Sequence, residues 1–160
     1  MARDEDLKTI HDLIKDEKVA MVTTRNEGTG ALTSRPMTTQ EAQFDGTLYF
    51  IVTAEAGTVS DLQSAAPVNV AYRSSSAFVS LSGTGRVGSD PEKAKELWDD
   101  SVAAWFEVGP EDPQVQVLTV EVDGAEYWSV ENKAALMIDL VKARVTGKRP
   151  DVGENDTVDL

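Results

Sequence analysis

Residues 32–53 read LTSRPMTTQEAQFDGTLYFIVT and contain two segments with the pattern of β-strands. In the first, residues 32–39, side chains would point alternately to the two faces of a strand. One face would carry Leu32, Ser34, Pro36 and Thr38, and the other Thr33, Arg35, Met37 and Thr39. The second, residues 48–52, is a nearly continuous apolar run typical of a strand buried on both faces. Asp45 and Gly46 lie between them and have the chemistry of a hairpin turn. The pattern therefore predicts two strands joined as a hairpin.

The first of these strands also has the features of a ligand-binding edge. Pro36 lacks a backbone N–H, so its strand is expected at the edge of a sheet or at a bulge, where backbone groups are free to meet a ligand. Arg35 beside it carries a permanent charge and can form a fork of hydrogen bonds to phosphate. From the residues alone, a phosphate contact and an ion pair with one of the many carboxylates are equally good interpretations of Arg35.

The rest of the chain predicts a single domain of mainly β structure with flanking helices, an α+β fold over residues 1–149. Thr58 is expected to cap a short helix that Pro67 ends, and Asp90 with Pro91 to begin a longer helix that Gly109 stops. The apolar spacing and turn residues predict further helices at 4–16 and 133–141, strands at 19–24, 68–72 and 78–87, and a last hairpin of 114–122 with 125–129. Residues 150–160 form an acidic tail of a composition that normally disorders, and packing against either a second subunit or a lattice neighbour could order it.

Composition excludes several classes of function. The chain has 160 residues, of which 41% are hydrophobic, enough for one core. It has no cysteine, which excludes disulfides, thiol nucleophiles and thiolate metal sites and favours the cytoplasm. No apolar run predicts a signal peptide or a membrane span. The net charge of −13 argues against nucleic acid and anionic membranes as partners, so a phosphate-bearing ligand would need a locally positive pocket.

Three other features have structural interpretations that are favoured over functional ones. His11 is the only histidine and has no ligand-spaced partners, so no metal site is expected. Gly83 and Gly85 lie within a strand, which indicates a bulge or a close backbone approach and not a dinucleotide loop. The aromatic stripe of Trp98, Trp105 and Phe106 is expected in the core or at a subunit interface.

Several motifs together resemble a known family. Arg35-Pro36-Met37, the strand at 48–53 and the strand at 68–72 look like the flavin-binding half of the pyridoxamine 5'-phosphate oxidase-like split β-barrels. Trp105-Phe106, followed by Gly109, Asp112 and Pro113 and then by Glu126-Tyr127-Trp128, resembles the general stress protein branch of that group. The resemblance spans about residues 7–147 and implies a split β-barrel of the FMN-binding type.

The resemblance also implies a cofactor, a site and an assembly. The cofactor would be FMN, with FAD or a deazaflavin as alternatives, and the protein would be a homodimer with its cofactor sites at the subunit interface. Trp128 would lie against flavin held mainly by the other subunit, or would fill the dimer core. The implied cofactor-binding residues are Arg35, Pro36, Met37, Thr38, Ile51, Val52, Thr53, Thr58, Val59 and Trp128.

The chain departs from the family pattern at three places. Val52 stands where threonine is common, with Thr53 one position later, and Thr58 stands where lysine is common, so the phosphate site lacks a usual charge. The arginine and histidine stretch that grips the substrate of true pyridoxamine phosphate oxidases is replaced by residues 129–133, which argues against vitamin B6 phosphate oxidation.

The resemblance therefore implies a flavin-binding general stress protein, an oxidoreductase acting on an unidentified small molecule. No residue stands out as a general acid or base, so the catalytic residues and turnover itself are left open. A flavin reservoir or stress sensor without turnover is the main alternative, and a dimeric β-barrel interaction module is a third.

Overall fold

A computed structural model of the chain describes residues 2–39, 43–129 and 154–160. It contains four helices and seven strands in these ranges, and the predicted helix at 133–141 lies outside them. In chain order the elements are α1 (Ala2–Ile14), β1 (Val19–Arg25), β2 (Leu32–Thr38), β3 (Thr47–Thr53), α2 (Gly57–Asp61), β4 (Ala66–Arg73), β5 (Ala77–Gly88), α3 (Pro91–Leu97), α4 (Asp100–Ala103), β6 (Val115–Ser129) and β7 (Glu154–Asp159). The mainly β fold class with flanking helices is confirmed.

The seven strands form one antiparallel sheet in the order β2-β1-β4-β5-β6-β3, with β7 added to β6. The predicted hairpin between the strands of residues 32–53 is wrong, because β2 pairs with β1 and β3 pairs with β6. The side chains of β3 are mostly apolar, and so are those in the first half of β6. Pairing these two strands buries more apolar surface than pairing β3 with the largely exposed β2 would. The edge position of the strand that contains Pro36 is confirmed.

The main core is covered by α1, and a smaller buried cluster of Ala94, Val115 and Val117 lies where α3 meets β6. Buried side chains of β5 alternate with exposed or half-buried ones, as expected for a strand with one covered face. Ile10 and Ile14 of α1 are buried against this face together with Phe50 and Leu118 of the paired strands β3 and β6. The amphipathic pattern of residues 4–16 therefore predicted the helix and its buried side correctly.

Gly83 of β5 allows a close approach to the backbone of β6. The β5–β6 register shifts between Ser82 and Gly83, and a side chain at Gly83 would overlap the backbone of Glu121. The bulge predicted from the glycines of β5 is confirmed. The predicted hairpin turn at Asp123-Gly124 is wrong, because β6 continues through these residues, and Asp123 is the extra residue of the bulge.

The predicted helix after Asp90 is two helices. Asp90 accepts a hydrogen bond from Lys93 N and caps α3, as predicted. Trp98 is extended, and Asp99 then accepts a hydrogen bond from Val102 N and caps α4. A second strong N-cap residue within the apolar stripe thus ends one helix and begins another.

The acidic tail is ordered within its own chain over residues 154–160. β7 pairs with the second half of β6, and Leu160 N donates to the carbonyl oxygen of Asp123. Val158 is buried in the core, and Leu160 packs against it. The expectation of disorder failed here because backbone pairing along β6 and two apolar side chains offset the acidic composition.

The described part of the chain has no helix that is long and apolar enough to cross a membrane. Over the same ranges no cluster of His, Asp and Glu could hold a metal ion. His11 has a structural contact, because its Nδ1 accepts a 3.2 Å hydrogen bond from the backbone N–H of Phe44.

Candidate functional site

A cavity of about 330 Å³ lies between the two ends of the strand order. One wall is β2 and the opposite wall is β3, so the residues singled out in both strands face one space. The cavity is lined by Arg35, Pro36, Met37, Thr38, Ile51, Val52, Thr53, Ala56, Thr58, Ser101, Val102, Trp105 and Phe106. Eight of the ten predicted site residues are in this group. We call it the β2–β3 cavity.

Two predicted site residues lie elsewhere in the chain. Val59 is half-buried and packs against the core. Trp128 is half-buried on β6, where its backbone pairs with Phe78 on β5. Neither residue lines the β2–β3 cavity of its own chain.

The site also contains residues that sequence reasoning had assigned to the core or an interface. The segment around α4 places Val102, Trp105 and Phe106 on the cavity wall. The ring of Phe106 contacts that of Trp98 at a centroid distance of 5.5 Å, while Trp105 is 81% exposed at the rim. The signal that could have revealed this arrangement is Asp99, a cap residue that redirects the chain in the middle of the aromatic stripe.

Arg35 belongs to a hydrogen-bonded group at the polar end of the cavity. Its Nη1 donates to Thr24 Oγ1 at 2.8 Å, and Thr24 Oγ1 donates to Asp61 Oδ2, also at 2.8 Å. Asn26 Nδ2 donates to Asp61 Oδ1 at 3.2 Å, and Arg35 Nη2 lies 3.9 Å from Asp61 Oδ2. Arg35 thus both lines the cavity and pairs with a carboxylate, and that carboxylate is buried. We call these four residues the Asp61 network.

Thr58 places a polar atom without a partner on the same cavity. The prediction that it caps α2 is wrong: Ala56 occupies the cap position, and Thr58 lies inside the helix. The Thr58 side chain is fully buried, and its Oγ1 has no hydrogen-bond partner within the described part of the chain. Such atoms are rare because a buried polar group without a partner costs about 1–3 kcal/mol. Thr58 is one of the lining residues, so a polar ligand group that reached Oγ1 would remove this cost.

The cavity can hold a flat, mainly apolar ligand with one polar end. Pro36, Ile51, Val52 and the rings from the α4 segment form apolar walls, while Arg35 and Thr58 supply polar groups. Among the lining residues of the described ranges, Arg35 alone has a formal charge, and none has a carboxylate or imidazole for proton transfer. Redox or transfer chemistry here would therefore have to come from a bound molecule.

A second cavity, of about 460 Å³, contains none of the predicted site residues. It lies between the end of α1, the start of β3 and the segment leading to it, and His11, Lys15 and Tyr72 are among its lining residues. Burial raises the pKa of the Tyr72 hydroxyl above its usual value. This cavity is the larger of the two, but polar groups on its lining such as His11 Nδ1 and Thr39 Oγ1 already have hydrogen-bond partners within the chain.

Comparison with known proteins shows the family and the fold. The sequence profile of the family described as "Pyridoxamine 5'-phosphate oxidase like" matches residues 5–151. Protein bli-3 of Neurospora crassa is 29% identical over 94% of this chain and 78% of its own length.

Two solved structures are also similar. A Jannaschia sp. CCS1 protein provisionally assigned as general stress protein 26 has 26% identity and a TM-score of 0.72, over 98% of this chain and 99% of its own. A general stress FMN/FAD binding protein from Xanthomonas citri has 28% identity and a TM-score of 0.70, over 81% of this chain and 92% of its own.

Proposed function

Because the chain belongs to the pyridoxamine 5'-phosphate oxidase like family, we propose that it is a flavin-binding general stress protein whose cofactor occupies the β2–β3 cavity. The observation that carries this proposal is a mainly apolar cavity that is lined by Arg35 and by Thr58, whose hydroxyl has no hydrogen-bond partner in the described ranges. The similar Xanthomonas citri protein is described as binding FMN or FAD, which supports the same class of ligand.

The lining residues suit the parts of a flavin. The slot between β2 and β3 would take the ring system, with the backbone of residues 35–38 available at the edge of the sheet. Arg35 and Thr58 would meet the phosphate, Arg35 through a charge-assisted contact and Thr58 through its free hydroxyl. FMN is the proposed cofactor, and FAD or a deazaflavin would present similar groups to these residues.

The proposed activity is oxidoreduction of a small molecule, with the cytoplasm as its place of action. A flavin supplies hydride and electron transfer when bound, while the protein binds, orients and shields it. Trp105 is placed at the rim, where it can pack on a ligand that enters the open side of the cavity. A reservoir or sensor without turnover would use the same binding residues, so kinetics must separate the two functions.

We propose a homodimer with cofactor sites at the subunit interface. Val19 and Met21 on β1 and Phe78 on β5 are exposed apolar side chains on strands of the sheet. Covering them with a second copy would bury apolar area. Trp128, which does not line the cavity of its own chain, would then contact the flavin of the partner.

The test is to identify what the purified protein binds. The proposal predicts a yellow protein that releases FMN or FAD on heating, with the cofactor identified by chromatography, and rapid reduction by NADH or NADPH in stopped flow. Bound flavin that neither nucleotide reduces would favour the reservoir or sensor. A colourless protein that binds no added FMN, FAD or deazaflavin would contradict the proposal.

A further inference from the structure

We propose that Asp61 determines ligand specificity in the β2–β3 cavity, because its buried carboxylate offsets the charge of Arg35 and so weakens the preference for a phosphate-bearing flavin over an uncharged one. This inference rests on the proposed flavin site. It concerns a residue that does not line the cavity and acts on the ligand through Arg35.

The first support is the position of Asp61. Its side chain is 7% exposed and lies one helical turn after Thr58 in α2. Apart from Tyr72, the buried polar side chains of the described ranges are Thr24, Thr58 and Asp61. Thr58 lines the cavity, while Thr24 and Asp61 lie behind its lining and meet it through Arg35, which donates to Thr24 and lies 3.9 Å from Asp61.

The second support is how the carboxylate is held. Oδ2 accepts from Thr24 Oγ1 and Oδ1 accepts from Asn26 Nδ2. Both oxygens of the carboxylate are thus held by donors, and Arg35 Nη2 lies 3.9 Å from Oδ2. Asp61 and Arg35 together have a net formal charge of zero.

The third support is the charge that the ligand would bring. A phosphate monoester carries close to two negative charges at pH 7, and Arg35 is the only charged group on the cavity lining of the described ranges. With Asp61 behind it, the polar end offers hydrogen bonds from Arg35 and Thr58 but little net positive potential. Hydrogen bonds then contribute more than charge to phosphate binding, and FMN gains little over riboflavin.

The experiment compares FMN with riboflavin binding in Asp61→Asn. The substitution keeps the side-chain size and an oxygen that can accept from Thr24, and it removes the charge. We expect FMN to bind more tightly, on the order of tenfold, with riboflavin affinity unchanged. Glu27→Gln is the matched control, because it removes an exposed carboxylate from the loop that contains Asn26 and should change neither affinity.

Binding of inorganic phosphate tests the polar end of the cavity without the ring system of a flavin. In a thermal-shift titration, phosphate should stabilise Asp61→Asn more than the wild type or Glu27→Gln. If no flavin binds to any form while this gain is present, the proposed function fails and the role of Asp61 stands. Asp61→Ser, which also keeps an acceptor for Thr24, serves if Asp61→Asn does not fold.

Three results would overturn the inference. Weaker FMN binding in Asp61→Asn, matching that of Arg35→Ala, would show that Asp61 only positions Arg35. An equal change in affinity for FMN and for riboflavin would show that the substitution acts on the part that both ligands share, and not on the phosphate. Absence of any gain in phosphate stabilisation would show that the charge of Asp61 does not reach the cavity.

Discussion

Arg35 Nη1 donates a 2.8 Å hydrogen bond to Thr24 Oγ1, diagonally across the ladder between β2 and β1. Thr24 itself pairs with Thr33, so the guanidinium reaches back along the neighbouring strand to meet it. This contact holds Arg35 above α2 and near Asp61, where its side chain is only 23% exposed. The group that we propose as the phosphate contact is thus also part of the packing between β1, β2 and α2.

Arg35→Ala should affect both binding and stability. Loss of a charge-assisted contact should weaken FMN binding roughly tenfold or more. Removing a partner from buried Thr24 and Asp61 should also lower the free energy of unfolding by about 1–3 kcal/mol. Titration calorimetry and denaturant unfolding measure the two effects. Arg25→Ala, on the exposed end of β1, is the matched control, and unchanged FMN affinity in folded Arg35→Ala would refute the phosphate contact.

Thr58→Val should have opposite effects on the free protein and the complex. Valine keeps the branched shape but removes the hydroxyl, which has no partner among the described residues, so the unliganded protein should be as stable as the wild type or more stable by about 1 kcal/mol. Flavin affinity should fall if the hydroxyl binds the ligand. Thermal unfolding with and without FMN distinguishes these states. A clear loss of stability without ligand would mean that Oγ1 is already satisfied.

Trp128→Phe tests the shared site. Phenylalanine keeps most of the apolar volume, so a purely structural role predicts a modest stability loss and unaltered flavin affinity. A cofactor contact across the interface predicts weaker binding and less quenching of flavin fluorescence. Dilution that separates the subunits should then release flavin as well. A monomeric variant that binds flavin with full affinity would exclude a site made from two chains.

Tyr72 should make the protein sensitive to alkali. Burial raises the pKa of its hydroxyl in the folded state above the value of about 10 for an unfolded chain. The neutral side chain therefore favours folding, and this contribution is complete below about pH 10 and lost as the pH rises toward the raised pKa. Urea unfolding between pH 8 and 11 should show falling stability in the wild type and a flatter profile in Tyr72→Phe. Parallel profiles would contradict the assignment.

Gly83→Ala should disrupt the junction of β5 and β6. A Cβ at this position would overlap the carbonyl oxygen of Glu121, and neither backbone can move without breaking the ladder. We expect a loss of about 3 kcal/mol or more in the free energy of unfolding. Gly88→Ala, at the end of the same strand, is the control because nothing lies within 4 Å of the place that its methyl group would take. Similar stability of the two variants would disprove the close approach.

Much of the local structure followed from short-range patterns. The apolar spacing of residues 4–16 predicted α1, Pro36 predicted an edge strand, Asp90 predicted a helix cap and the β5 glycines predicted a bulge. Each of these features depends on the backbone conformations or the burial of a few residues that are close together in the chain. Such features can therefore be predicted from the sequence. The motifs around Arg35, Trp105 and Trp128 also indicated the family, and eight predicted site residues line one cavity.

Only the tertiary structure decided which segments meet. β3 pairs with β6 instead of β2, β7 pairs with β6 despite its acidic composition, and α4 turns Trp105 onto the rim of the cavity. Strand pairing depends on the sum of contacts between segments far apart in the chain, so a turn signal such as Asp45-Gly46 could not determine it. The partners of Arg35 and the isolation of the Thr58 hydroxyl arise in the same way, because they exist only after β1, β2 and α2 have packed together.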